Sequence, residues 1–371
     1  MADFVVFDAG HLADRDAWRR VWEQDPDAEV FAHPEYAAAF TVKHQRDACA
    51  YYRDPDGEAL FAFHLRDVAG EPWAPPGCHA ADLVTPYGYG GPFVVGRPSP
   101  QKFWAAFTEW AAAAHVVCGF ARRSLFPERL LPLPCAEVPV SENVVRSLGD
   151  ALDKIWMDYE HKVRKNVNKA RRAGLATEMD ATGARLDDFV RIYAATMERR
   201  SASRFYRFDR TFFANLLTRL PGRAILFHVM TPGGDVVSTE LVLASSHHIY
   251  SFLGGTIADA MHTGANDLLK HAIVEWGSAT GKSAFILGGG YRPGDGIFRY
   301  KRAFAPTGVR NFCVGRLVFD PPMYAELVSA RRAWEASAGS AWEPPGDFFP
   351  AFRAASTAPA EERNEHTGRC A

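Results

Sequence analysis

The residues best equipped for chemistry cluster late in the chain, where Arg292, Arg299, Lys301 and Arg302 interleave with Tyr300 and Phe304 just after the glycine run Gly288-Gly-Gly290. Cations set among aromatics can hold an anionic or carbonyl-bearing ligand; the plainer alternative is a surface lysine beside a core tyrosine. A second group, Lys162, Arg164, Lys165, Lys169, Arg171 and Arg172, crowds one helical segment that has no acid between residues 161 and 177. Salt bridges between successive helical turns cannot neutralise it. It is either a solvated face or a landing surface for phosphates. The excess extends further, since residues 154 to 223 hold 16 lysines and arginines against 8 acids, although the whole chain carries a net charge of −2. A third candidate is Glu240, a carboxylate in the apolar run Val237-Ser-Thr-Glu-Leu-Val-Leu243. Burial there is costly without a partner, so Glu240 is either half of a salt bridge or an acid/base group. Tyr87 and Tyr89, in a glycine-rich loop, could line a ligand channel or form a tight turn, and Arg204 and Tyr206 could read an anionic or aromatic group or join two helices.

These side chains need elements to position them. At 371 residues the chain is long enough for two cores, and 47% hydrophobic and 23% charged residues are a globular composition. The first half alternates strands and helices, with Ala48–Arg53 and Ala59–Arg66 expected as a hairpin through Asp54-Pro-Asp-Gly57. The second half opens with a basic helix over Leu152–Ala173, whose stripe of Ile155, Trp156, Tyr159, Val163, Val167 and Ala170 should face a core. Two more helices, three antiparallel strands, a helix over Asn266–Thr280 and an apolar strand follow. A strand pair near Val309–Phe319 and a helix over Pro322–Ser337 complete the half. The expected division is 1–150, 151–340, and a partly disordered tail at 341–371 rich in Pro, Ala and Glu.

Several chemistries are set aside. The six cysteines show no metal or disulfide spacing. The His247-His248 neighbours point to opposite strand faces, so no metal is expected. There is no P-loop, no GxGxxG context and no GxSxG elbow. No apolar run is long enough for a membrane span or a signal peptide, which leads to the expectation of a cytoplasmic protein.

The order of elements in the second half, with five local strings, resembles the FemAB-like branch of the GNAT acyltransferases, which includes peptidoglycan-bridge and BioF2-like proteins. The strings are Pro86-Tyr-Gly-Tyr-Gly-Gly-Pro92, Arg164-Lys-Asn-Val-Asn-Lys-Ala-Arg-Arg-Ala-Gly174, Phe252-Leu-Gly-Gly-Thr256, Leu287-Gly-Gly-Gly290 and Phe298-Arg-Tyr-Lys-Arg-Ala-Phe304. The resemblance covers roughly residues 82 to 319. It implies an α/β (α+β) protein of two tandem GNAT-like domains, each a mixed, largely antiparallel sheet flanked by helices, transferring an acyl group to an amine. In that family the pair matching Tyr300-Lys301 lies beside the acyl ester, where a cation steadies charge on the carbonyl or leaving oxygen. The family's donor is often aminoacyl-tRNA, used without ATP or metal. The resemblance therefore implies tRNA phosphates on Lys162, Arg164, Lys165, Lys169 and Arg172, and substrate near Arg299 and Phe304. No pair of long helices suggests the hairpin insertion of the cell-wall members, so the acceptor amine is expected on a small molecule or peptide, as in specialised metabolism such as antibiotic biosynthesis. The rival donor is acyl-CoA, whose pyrophosphate GNAT enzymes commonly hold on an Arg/Gln-x-x-Gly-x-Gly/Ala loop. Here that stretch reads Met261-His-Thr-Gly-Ala-Asn266, which keeps Gly264 and departs at both ends, with Asn266 better suited to capping a helix. The third reading is a binding protein without catalysis.

Overall fold

The computed structural model describes residues 3–356. The chain forms two compact units, the first made of the described residues up to Val140 and from Phe312 onward, the second of Ser141–Asn311. In the first unit, strand β1 (Asp3–Asp8), helices α1 (Leu12–Gln24) and α2 (Pro34–Phe40), and strands β2 (Gln45–Asp54) to β3 (Gly57–Asp67) come first. The expected hairpin is β2–β3. Asp54 closes it by accepting from the amides of Asp56 at 2.9 Å and Gly57 at 3.1 Å. Strands β4 (Ala81–Val84) and β5 (Phe93–Gly96), helix α3 (Pro100–Ala113) and strand β6 (Val116–Arg122) follow. The sheet order within this unit is β1-β2-β3-β4-β6, and the part of a later strand from Val314 onward pairs antiparallel with β6.

Strand β7 (Glu137–Ser147) carries the chain into the second unit. There α4 (Leu152–Asp158), α5 (His161–Arg172), β8 (Ala176–Asp180), α6 (Leu186–Arg199), α7 (Arg210–Arg219), β9 (Ala224–Met230), β10 (Val236–Ala244) and β11 (His248–Thr256) precede α8 (Ala265–Ala279), β12 (Ala284–Gly288) and α9 (Gly296–Arg302). The order is β7-β12-β11-β10-β9-β8. All pairs in it are antiparallel except β11–β12, which is parallel. That parallel pair is registered only from His248↔Ala284 to Tyr250↔Ile286, so β11 runs on past the end of the pairing. Strand β13 (Val309–Val318) and helix α10 (Pro321–Ser337) end the ordered elements. Among the described residues no helix is long and apolar enough to cross a membrane, and no cluster of His, Cys, Asp and Glu could hold a metal.

Four expectations change. The basic helix is two helices: Tyr159 and Glu160 are extended, with ψ of 144° and 146°, between α4 and α5. Tertiary contacts decide this, because Tyr159 is 1% exposed, packs on Phe304 at 5.4 Å, and the Glu160 amide donates to Ala303 O at 2.9 Å. The freed carbonyls of Met157 and Tyr159 accept from the Arg164 guanidinium. The division at 150 and 340 moves, since α10 packs its Leu327 against Val68, Trp73 and Val117 of the first unit. The expected tail contains Trp342 and Phe352, both fully buried, so its first part is structured; the expected disorder from about Ser356 falls almost wholly outside the described residues. The strand pair near Val309–Phe319 is one strand, and sequence reading missed β8.

Candidate active site

The site is built where β11 outruns its pairing with β12. Glu240 sits mid-strand in β10, opposite Gly254 of β11, and is 3% exposed. Its Oε2 accepts from Lys270 Nζ, and the same ammonium donates to Ser251 Oγ at 2.7 Å, just beyond the last paired residue of β11. Lys270 comes from α8, a helix buried at most of its positions, and is itself 6% exposed. A buried ion pair of this kind is costly to assemble and far more costly to break on one side. Glu240 is thus partnered, as one of its two readings required, and its other oxygen, Oε1, is buried without a partner.

Lys301 lies on α9, whose N-terminus is capped by Asp295 accepting from Phe298 N at 2.8 Å. Burial raises the Asp295 carboxyl, but hydrogen bonds from the amides of Phe298, Arg292 and Tyr291 outweigh it and hold the group below the ordinary carboxylate range. The Lys301 ammonium donates to Gly289 O at 2.6 Å. Desolvation first, then the neighbouring Lys270 charge, lower its pKa from 10.5 to about 7, against the pull of Glu240 and Asp295. An amine balanced in this way exchanges a proton readily at neutral pH. The glycine run is needed for this placement: Gly288 has φ +80°, and a Cβ on Gly290 would stand 2.4 Å from Asp295 Oδ1.

Tyr300, the neighbour of Lys301, packs on Phe304 at 5.4 Å, and its hydroxyl is buried. Burial, then the fields of Asp267 and Glu240, push that hydroxyl well above its ordinary pKa. Asp267 in the first turn of α8 is itself raised to about 6 by burial, against a hydrogen bond from Asn166 and the charge of Lys162. Glu240, Lys270, Lys301, Tyr300, Asp267 and Asn266 therefore share one electrostatic neighbourhood.

Other expected residues fall elsewhere. Phe304 is fully buried in the core beside Tyr159, so it supports the site from behind rather than meeting a ligand. Arg299 is exposed and donates to Gly294 O at 2.6 Å. Gly264, not Asn266, caps α8, at φ +85° with no side-chain cap bond; Asn266 is the helix's second residue. Arg204 and Tyr206 form a short 3-10 turn before α7, where Tyr206 O accepts from the Tyr193 hydroxyl. Tyr87 and Tyr89 belong to the first unit, where the Tyr36 hydroxyl donates to Tyr87 O at 2.7 Å and Tyr89 packs on Phe31 at 5.4 Å. Burial raises the Tyr89 phenol. The buried Arg123 guanidinium braces the end of that loop through Gly91 O and Leu131 O.

The basic face of α5 is partly neutralised. Lys162 pairs with Glu160 at 3.2 Å, Arg171 with Glu275 at 3.1 Å, and Lys169 donates to His262 O at 2.6 Å. Lys165 and Arg172 are exposed and have no partner among the described residues. Both line a shallow open depression of about 460 Å³ with Trp156, His161, Arg164 and Asn168, a wall without a single acid. Sequence reading missed Lys270, Asp267 and Asn166. The detectable signal for Lys270 was a lysine inside the apolar run Leu268-Leu-Lys-His-Ala-Ile-Val274.

Residues 158–302, all within the second unit, match the acetyltransferase (GNAT) domain family. No curated protein matches the chain in sequence. Among solved structures, FemX superposes with a TM-score of 0.64 at 13% identity, covering 84% of this chain and 97% of FemX. L-PGS from Bacillus licheniformis gives 0.53 at 13% identity, with 84% and 94% covered. The C-terminal domain of a putative lysylphosphatidylglycerol synthetase from Agrobacterium fabrum gives 0.51 at 14%, with 88% and 97% covered. Residues 158–302 thus match the GNAT acetyltransferase domain, and the chain shares the fold of FemX.

Proposed function

We propose that the protein is an acyltransferase that moves an aminoacyl group from aminoacyl-tRNA to the amine of a small molecule or peptide, forming an amide in the cytoplasm. The observation that carries the choice of donor is the pair of unpartnered cations, Lys165 and Arg172, on an acid-free depression of the GNAT unit. A polyanion with phosphates spaced along a backbone satisfies such a wall by releasing its counterions. The rival donor, acyl-CoA, loses support at Gly264. A Cβ there would lie 2.4 Å from Asn166 O, so this glycine is required by the contact of α8 with α5, whether or not a pyrophosphate ever approaches.

In the proposed reaction the acceptor nitrogen attacks the ester carbonyl carbon. The C–N bond forms and the carbonyl electrons move onto oxygen. Collapse then breaks the bond to the ribose oxygen, which leaves with a proton while the nitrogen loses one. Lys301 serves as the cation beside the developing oxyanion or leaving oxygen, and a pKa near 7 suits it to pass that proton. The deciding experiment supplies candidate amines with an extract of charged tRNA. Amide formation should vanish on RNase treatment and ignore added acetyl-CoA. RNase-resistant, CoA-dependent turnover would replace this reading with the CoA one.

A further inference from the structure

Two extended residues, Tyr159 and Glu160, separate α4 from α5, and the depression of about 460 Å³ is lined from both helices. From α5 come His161, Arg164, Lys165, Asn168 and Arg172, whose helical spacing sets them on one stripe, while the buried Val163, Val167 and Ala170 occupy another. From α4 comes Trp156. Helical spacing alone assigns Trp156 to the core beside Val163 and Val167; the break leaves it half-buried on the wall of the depression. Arg164 fastens the corner through the carbonyls of Met157 and Tyr159. His271 backs the indole with ring centroids 4.9 Å apart, and the Arg171 guanidinium lies 5.9 Å from the ring centroid. The ring is therefore held in place while part of it stays open to solvent.

Phosphates account for Lys165 and Arg172 but not for the rest of this lining. The Trp156 indole N–H and the side chains of His161 and Asn168 make no hydrogen bond among the described residues. A fixed aromatic face takes a nucleobase by stacking, whatever its sequence. The Asn168 amide offers both a donor and an acceptor to a base edge. It stands three residues from Lys165 and four from Arg172 on the same helix, so edge and phosphate contacts fall within the span of about one nucleotide. A concave volume of this size suits one small ligand, whereas a double helix meets an extended open face. We infer that the depression is a pocket for one unstacked nucleotide, with its base on Trp156, its edge at Asn168 and its flanking phosphates on Lys165 and Arg172. This rests on the reading of an RNA-borne donor and deepens it: the pocket takes an unpaired nucleotide of that RNA rather than the backbone of its stem. Coenzyme A also carries a nucleotide, so the experiment has an arm for each source.

The test compares two RNA hairpins with one stem, the first blunt and the second carrying a short unpaired 3′ extension that contains 2-aminopurine. Wild-type protein should bind the extended hairpin at least about fivefold more tightly, the size of one base–aromatic stack, and 2-aminopurine emission should be quenched in the saturated complex. Trp156→Leu, which keeps apolar bulk against the core, should bring the two affinities within about twofold and restore the emission. Thermal melting checks that this variant folds. If it does not, Asn168→Ala decides instead: it alters an exposed helix position and should reduce the preference at least about twofold by removing the edge contact. Equal binding of the two hairpins by wild type, unquenched 2-aminopurine, or a folded variant that keeps the whole preference overturns the pocket and leaves the tRNA reading standing. Binding of neither hairpin defeats the tRNA reading, and coenzyme A is then compared with 4′-phosphopantetheine, which lacks the nucleotide. A preference for coenzyme A that the same variant abolishes upholds the pocket, and no preference overturns it.

Discussion

Replacing Lys301 by methionine separates catalysis from stability, because the two respond in different directions. Lowering the ammonium's pKa from 10.5 to about 7 corresponds to roughly 5 kcal/mol against the charged form if desolvation were complete, at about 1.4 kcal/mol per unit. The residue keeps part of its exposure, so the recoverable portion is about 1–3 kcal/mol. Against this gain stands the Gly289 carbonyl, which loses its donor at a cost of about 1–3 kcal/mol. The two nearly cancel, and the melting temperature should move by no more than about 5 °C. Turnover has no such compensation: removing a cation aimed at developing negative charge costs about 100-fold to 1,000-fold, or roughly 3–4 kcal/mol of transition-state stabilisation. The pH profiles sharpen the contrast. Acting as a cation, Lys301 makes wild-type turnover fall as pH rises through about 7. Stability follows the opposite course. Between about 7 and 10.5 the unfolded chain binds the proton that the folded chain has released, so folding becomes more favourable with rising pH, and Lys301→Met removes that slope. Turnover of the purified, folded variant within about threefold of wild type would refute the assignment, as would an unchanged pH profile.

Lys165→Ala with Arg172→Ala should leave unfolding free energy within about 0.5 kcal/mol, while flattening the salt dependence of tRNA binding by about one counterion per contact. An unaltered slope would mean that the depression is merely solvated. Gly264→Ala should destabilise by about 2–4 kcal/mol in urea unfolding, because it combines φ +85° with a Cβ 2.4 Å from Asn166 O. Gly294→Ala, at φ +65° with nothing within 4 Å, is the control and should cost only about 1 kcal/mol. Asp267→Asn should flatten stability against pH between about 4 and 6. There the folded carboxyl, raised to about 6, keeps a proton that the unfolded one has lost, so wild-type stability falls as pH rises through that window. A slope equal to that of wild type would remove Asp267 from the buried network.

Local pattern carried much of this architecture. The Asp54-Pro-Asp-Gly57 turn declared its hairpin, and the alternation of helices and β-rich runs declared an α/β protein with a GNAT-like order in its second half. What failed was each inference for which local preference competes with distant contacts. Apolar residues continue at helical spacing through Tyr159, yet burying that ring against Phe304 and His271 requires two extended residues, and the helix breaks. Asn266 reads as a cap until the crowding at Asn166 O is known, which admits only glycine two residues earlier, at Gly264. The destination of α10 could not be read at all, since its partners Val68 and Val117 lie far away in sequence.

For the site, the sequence supplied two of the three charges that matter. Lys301 and Glu240 announce themselves by a local anomaly: a cation among aromatics after glycines, and an acid within a hydrophobic strand. Lys270 shows the same anomaly inside an apolar helix, but a lysine there is ordinarily read as reaching outward along its flexible stem. Only the partner makes the difference visible. Glu240 requires a counter-charge because it is buried, α8 crosses its strand, and Lys270 is the residue that arrives there. The physical rule that should have found it is that an acid assigned to a core sends the search to every nearby basic residue on an apolar helix face. Once found, the pair meets the requirement that made Glu240 conspicuous: a carboxylate 3% exposed in a strand is held by an ammonium 6% exposed on a helix, and removing either partner alone would strand a buried charge at a cost of about 3–5 kcal/mol.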